Sequence, residues 1–206
     1  MPGDRRSVRP RLQKLHRLVS QIDDLLLPEE TAYLVSQGEA AGFERSETNS
    51  KDGISKGRTS QTAYLRNDDD VVQCLRRRLG KVAKVPADRL EDLQVVRYTP
   101  GQRYRPHNDA LREYPDRAKT IFAYLQADGL ENGDCGGSTS FTKLRGPGGK
   151  PLRVWPREGS ALMWNNLVPS GHADERTEHA GEAVTCKGRE KIGLNAWFRE
   201  DDTTSV

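Results

Sequence analysis

Cysteine is scarce: Cys74, Cys135 and Cys186 are three in 206 residues, at no paired metal spacing. An odd, unpatterned count argues against a cysteine zinc site and against a disulfide scaffold. The thiols are expected to be reduced, as in a cytosol-like compartment. Long apolar runs are missing too. No stretch approaches the roughly 18 uncharged apolar residues of a membrane span. The opening MPGDRRSVRPRLQKLHRL lacks the apolar segment of a secretory leader. These absences predict a soluble, cytoplasmic protein with no membrane partner. Histidine is also sparse, at four, so each can be weighed singly.

What is present fits one globular domain with a polar surface: 34% hydrophobic and 31% charged residues. The formal charge of +3 is uneven. Residues 1–17 hold six Lys/Arg against Asp4 alone, leaving the remainder at a net −2. Residues 1–17 read as a flexible, solvated basic arm, disordered over residues 1–10, with nucleic-acid contact not expected. Residues 18–206 read as a single domain, with a helical flank over 18–90 and a β-rich core over 91–200.

From Leu12, apolar residues Leu15, Leu18, Val19, Ile22, Leu25 and Leu26 fall at helical spacing, which predicts a helix there. Pro28, Glu29 and Glu30 mark a second helix start, fading at Gly38–Gly42. Residues 43–62 read as loop, with at most one strand. Asp68–Asp70 cap a further helix with a stripe of Val71, Val72, Leu75, Leu79 and Val82. After Pro86, short β-like runs alternate with turns: Leu93–Tyr98, Thr120–Leu125, Ser138–Thr142, Leu152–Trp155, Ala161–Trp164 and Ile192–Phe198. Helices followed by many short strands predict an α+β chain, a helical flank on a sandwich or barrel.

The chemistry begins at His107 and Asp109. On an extended segment, residues i and i+2 project to one face, so an imidazole and a carboxylate converge. A second histidine from a distant strand would complete a two-histidine, one-carboxylate facial triad. Such a site suits Fe(II) and leaves positions open for other ligands. His16 lies in the arm, where a surface role is expected. His172 and His179 compete for the third position. Gly136–Gly137 lacks the lysine and strand-to-helix context of a phosphate loop.

The wider text is more specific. YTPGQRYRPHNDAL precedes RAKTIFAYLQ, GGSTSF and WPREGSALMW, and HAGEAVTCKGREKIGLNAWFRE follows. Together with IDDLLLPEET, RTSQTAYL and Glu91, this series resembles the prolyl 4-hydroxylase family of 2-oxoglutarate- and Fe(II)-dependent dioxygenases. The likeness runs from about Ile22 to Arg199. It implies a double-stranded β-helix, or jelly-roll, core, with His107, Asp109 and His179 as iron ligands. His179 matches through its HAG segment, whereas His172 sits among turn residues. Lys191 is implied for the distal carboxylate of 2-oxoglutarate, although the stretch from His179 is slightly longer than the family's. Lys187 or Arg189 could take that role. Tyr98, Tyr104, Tyr124 and Thr139 resemble residues lining the cosubstrate pocket. Arg58, Ser60, Glu91, Arg117 and Trp197 resemble residues near a peptide groove, with Arg58 and Ser60 on a mobile loop. Arg199 stands where some relatives carry histidine.

The resemblance implies 4-hydroxylation of peptidyl proline using Fe(II), 2-oxoglutarate and O2, with L-ascorbate as reductant and a proline-containing peptide or protein as partner. The chain is expected to be a monomer or homodimer. Two alternatives stay open: the same iron chemistry on another residue, free amino acid or small molecule, and a non-catalytic module using the basic arm.

Overall fold

The structure is a computed structural model that describes residues 8–46, 57–110 and 114–200. In chain order the elements are β1 (Arg11–Lys14), β2 (Val19–Asp23), α1 (Pro28–Ala41), β3 (Glu44–Arg45), β4 (Gln61–Tyr64), α2 (Asp70–Ala83), β5 (Gln94–Tyr98), β6 (Tyr104–His107), β7 (Arg117–Gln126), β8 (Thr139–Arg145), β9 (Pro151–Val154), β10 (Ala161–Asn165), β11 (His179–Gly181) and β12 (Lys191–Arg199). They form an eight-stranded sheet in the order β1-β2-β10-β7-β12-β5-β4-β3 and a four-stranded sheet in the order β6-β11-β8-β9. The paired strands are antiparallel. The two sheets face each other, as a double-stranded β-helix requires, and both long helices pack outside the larger one.

The local causes are visible. Pro28 opens α1, and the Glu30 carboxylate accepts from the Leu27 N–H at 2.9 Å. Asp69 caps α2 by accepting from the Val72 N–H at 2.9 Å. Val72, Leu75 and Leu79 are buried in α2, whereas Val71 and Val82 at the edges of the stripe are half-buried.

The large sheet is apolar on both faces, so its strands carry two interleaved patterns. Val95, Ile121, Ala123, Leu125, Ala161 and Leu194 pack outward with the helix residues Leu34, Leu75 and Leu79. Val96, Phe122, Tyr124, Leu162 and Trp164 pack inward with Phe141, Leu152 and Val154 of the small sheet. Strand alternation sorts adjacent residues into separate layers. The inner layer carries the site.

Two expectations are corrected. The stretch from Leu12 to Leu26 is not a helix but the β1–β2 hairpin, with β2 pairing β10 so that Val19 lies opposite Trp164 and Ile22 opposite Ala161. The 3.6-like spacing of its apolar residues loses to sheet pairing, because Val19 and Ile22 serve different layers. Cys135 and Cys186 are not free thiols: they are joined in a disulfide, leaving Cys74 free. The fold brings together residues 51 positions apart, which no local spacing could signal. The cysteine argument for a reducing compartment falls with this bond.

Residues 1–7 of the expected disordered stretch, and residues 47–56 of the expected loop, lie outside the described residues. Within the span read as a helical flank, α1 and α2 are accompanied by strands β2 to β4 of the large sheet. Among the described residues, no helix is long and apolar enough to cross a membrane.

Candidate active site

The cross-strand register of the small sheet builds the centre. His107 ends β6 and His179 starts β11, and the two are direct partners in the ladder. Their rings lie 4.3 Å apart between centroids. Asp109 follows β6 by two residues. Its Oδ1 stands 3.6 Å from His107 Nε2, and its Oδ2 stands 3.7 Å from His179 Nε2. The three ligand atoms lie within 4.8 Å of one another.

Each imidazole is oriented from behind. Nδ1 of His107 faces the Arg105 carbonyl at 2.8 Å, and Nδ1 of His179 faces the Thr177 carbonyl at 3.0 Å. A carbonyl can only accept, so the proton sits on Nδ1 and the Nε2 lone pair points inward. Asp109 is oriented as well: Thr120 Oγ1 donates to its Oδ2 at 2.6 Å, and Asn166 Nδ2 donates to that Oγ1 at 2.9 Å.

Protonation follows from these surroundings. Burial alone would raise the Asp109 carboxyl, but His179, His107 and Thr120 hold it well below the usual carboxylate range. Burial lowers His179 to about 4, reinforced by His107 and opposed by Asp109. At neutral pH the centre therefore presents one carboxylate and a neutral His179. Two imidazoles and a carboxylate with open sides are a donor set that fits Fe(II).

Beside the centre lies a small pocket of about 30 Å³. Strand β12 supplies one wall through its odd-numbered residues Lys191, Asn195 and Trp197, while Ile192, Leu194, Ala196 and Phe198 face the helices. Gly193 belongs to the same alternation, and a Cβ there would meet the Phe122 ring at 2.3 Å, so glycine makes room for that ring. Lys191 is only 1% exposed. Its Nζ donates to the Gly137 carbonyl at 2.7 Å and sits 4.6 Å from the centroid of the Tyr98 ring. Burial lowers its ammonium to about 7, with Glu182 opposing.

Tyr98, Tyr104 and Thr139 line this pocket. The Tyr124 hydroxyl lies 2.9 Å from Thr139 Oγ1. Burial raises the phenols of Tyr98 and Tyr124, and pushes that of Tyr104 up to about 12, so all three stay protonated. The indole Nε1 atoms of Trp164 and Trp197 are buried with no hydrogen-bond partner among the described residues. Both rings line the pocket. An apolar pocket with a buried cation and hydroxyls at its wall fits a dicarboxylate.

A wider, solvent-open groove of about 530 Å³ runs outward from Asp109 past Arg58, Tyr104, Arg117 and Trp197. Arg117 makes a two-pronged ion pair with Glu91 at 2.8 and 2.6 Å and stacks 4.0 Å over both Trp197 and Tyr114. Arg58 lies 5.0 Å over the Tyr104 ring and donates to Gln94 Oε1 at 2.9 Å and Ser60 Oγ at 3.3 Å. Both Arg58 and Ser60 are buried, at the foot of the segment read as a mobile loop.

The structure thus brings His107, Asp109, His179, Lys191, Tyr98, Tyr104, Thr139 and Trp197 to one pocket and Arg58 and Arg117 to the groove, with Tyr124, Ser60 and Glu91 bonded behind them, and it separates the competitors from the centre. His172 is exposed against Ser170. Lys187 and Arg189 are exposed, and Arg189 pairs with Asp128. Arg199 pairs with Asp116 and Glu91. Sequence reasoning missed Thr120, Asn166, Phe122, Trp164 and Asn195. The i±2 relation to Lys191 and Trp197 could have found Asn195; the Thr120–Asn166 relay had no sequence signal.

This site and fold place the chain in a defined class. Residues 93–199 match the family model of the 2OG-Fe(II) oxygenase superfamily, and the chain belongs to that superfamily. Within it the likeness is to prolyl 4-hydroxylases. Prolyl 4-hydroxylase 5 of Arabidopsis thaliana is 30% identical over 198 residues, covering 85% of this chain and 66% of the relative. Prolyl 4-hydroxylase subunit alpha-2 of Gallus gallus is 30% identical over 158 residues, covering 71% of this chain and 27% of the relative. The chain therefore spans only about two thirds of the first and about a quarter of the second. Among solved structures, the 2OG complex of the viral collagen prolyl hydroxylase from Paramecium bursaria Chlorella virus-1 superposes with a TM-score of 0.69 at 26% identity, covering 90% of this chain and 97% of that one.

Proposed function

We propose that the chain hydroxylates peptidyl proline at C4, consuming 2-oxoglutarate and O2 and releasing succinate and CO2. The observation that carries this reading is the placement of His107, Asp109 and His179 around one point, beside the buried cation Lys191. In this reading His107, Asp109 and His179 hold Fe(II). Fe(II) held there would activate O2, whose two oxygen atoms would go one to the C–H bond and one to succinate as 2-oxoglutarate loses CO2.

The chain's own residues do the rest. Lys191 neutralises the distal carboxylate of 2-oxoglutarate, helped by hydroxyls of Tyr98, Tyr124 and Thr139. Phe122 and Trp164 keep water from the reacting end. The groove past Arg58, Arg117 and Trp197 takes an extended peptide, and Glu91 fixes Arg117 so that its planar face presents a rigid wall. Tyr104, stacked on His107 at 3.5 Å, bounds the point where groove and pocket meet. Ascorbate belongs to this reading as the reductant that keeps iron ferrous.

The test is incubation of iron-loaded protein with 2-oxoglutarate, O2, ascorbate and a panel holding polyproline, a collagen-like repeat, a proline-free peptide and free proline. Succinate together with one added oxygen atom on proline of a peptide is the expected result. Oxygen on free proline alone, or succinate with no oxidised peptide, would move the substrate to a small molecule. His179→Ala should abolish both products; normal turnover in that variant would defeat the ligand assignment.

A further inference from the structure

The disulfide joins the two loops that build the seat of Lys191. Cys135 precedes Gly136 and Gly137, and the Gly137 carbonyl is the acceptor for Lys191 Nζ. Cys186 lies on the segment that leads into β12, five residues before Lys191. Main-chain contacts tie the same two loops: Gly136 bridges Val184, the Gly137 N–H donates to the Ala183 carbonyl at 2.9 Å, and the Thr185 N–H donates to the Cys135 carbonyl at 2.8 Å. The approach is close. A Cβ on Gly136 would stand 2.4 Å from the Ala183 oxygen.

The first loop would have unusual freedom without such ties. Gly133, Gly136 and Gly137 have φ of 88°, 68° and 79°. Glycines at positive φ choose among many backbone states when nothing holds them. The second loop exposes Lys187, Gly188 and Arg189. A covalent bond between two such loops removes most of that freedom. Its effect on Lys191 follows from donor counting. An ammonium carries three N–H donors. One is committed to Gly137, which orients the others toward the pocket. In a dry site a small misplacement of such a charge weakens binding steeply.

We infer that the Cys135–Cys186 bridge is a positioning element for Lys191: it fixes the Gly137 carbonyl against the ammonium, so that reduction of the bond weakens 2-oxoglutarate binding while the iron centre stays intact. This rests on the proposed role of Lys191 as the carboxylate anchor.

The test is calorimetric titration of 2-oxoglutarate, without oxygen, into the iron-loaded protein, before and after treatment with a phosphine reductant. Thiol titration should rise from one to three cysteines, and iron stoichiometry should not change. The dissociation constant should rise about tenfold on reduction, a coupling of the size usual between groups that share a contact, and return on reoxidation. The double variant Cys135→Ser/Cys186→Ser should match the reduced protein and ignore the reductant. In Lys191→Ala, reduction should change nothing further, because the bridge acts through the ammonium. No change in the parent, or equal weakening in the parent and in Lys191→Ala, overturns the inference. If Lys191→Ala binds 2-oxoglutarate as tightly as the parent, the anchor assignment itself is wrong and the positioning role falls with it.

Discussion

At the residue scale, the centre depends on groups that never touch a ligand. Thr120 holds Asp109 Oδ2, and Asn166 holds Thr120. Outer partners of metal ligands commonly contribute about 10–100-fold in affinity. Thr120→Val keeps the shape and removes the donor, so iron affinity should fall by about tenfold at the low end of that range. Anaerobic iron titration would detect it, and an unchanged affinity would leave the relay without a role. Lys191 gives a pH signature. Its ammonium sits near about 7 because burial disfavours the charge. A dicarboxylate binds the charged form. Raising pH through that value deprotonates the empty pocket, so 2-oxoglutarate affinity should fall, by about tenfold per pH unit at most. Binding measured from about pH 6.5 to 8.5 should show that decline with proton uptake; a flat profile would contradict it.

At the element scale, the chain was legible wherever one signal dominated. Asp69 and the stripe of Val72, Leu75 and Leu79 located α2, and Pro28 with Glu30 located α1. The runs around β5, β7, β8, β9, β10 and β12 were also readable from sequence. The short strands were not. β6 reads as the polar text Tyr-Arg-Pro-His, and β11 has only three residues. Both exist because their partners supply the ladder, which a sequence window cannot contain. The first hairpin failed for a related reason, since its apolar residues divide between two layers. The three residues of the candidate metal centre were still nominated from sequence, because donor chemistry and the wider text singled them out without the strands. The disulfide was missed because it depends on a contact between distant loops. Gly193 marks the tightest spot within an element: Gly193→Ala would drive a methyl into the Phe122 ring, and should cost about 1–3 kcal/mol. Denaturant unfolding would measure that loss, which should appear with pocket affinity for 2-oxoglutarate also reduced.

At the scale of the whole molecule, the two layers separate support from chemistry. Leu79 is fully buried between α2 and the outer face of the large sheet. Leu79→Ala should destabilise the protein by about 2–5 kcal/mol. Below its new melting point, iron affinity should match the parent, since no residue of the centre belongs to that layer. A parallel loss of iron binding would show the layers to be coupled. The bridge between Cys135 and Cys186 acts across the whole fold as well. Closing a loop of 51 residues should make the oxidised protein more resistant to unfolding than the reduced one, by about 2–4 kcal/mol, as paired denaturation curves would record.

Strand β12 answers to both layers at once, with Lys191, Asn195 and Trp197 on the pocket side and Ile192, Leu194 and Phe198 on the helix side. Inserting or deleting one residue inside it would put the side chains on one side of the change onto the wrong face, separating Lys191 from Asn195 and Trp197 unless a bulge absorbed the change. A change of two residues would keep every side chain on its proper face and only slide the anchor along the wall. Random single-codon indels across 192–197 should therefore be eliminated from a functional library more completely than double-codon ones.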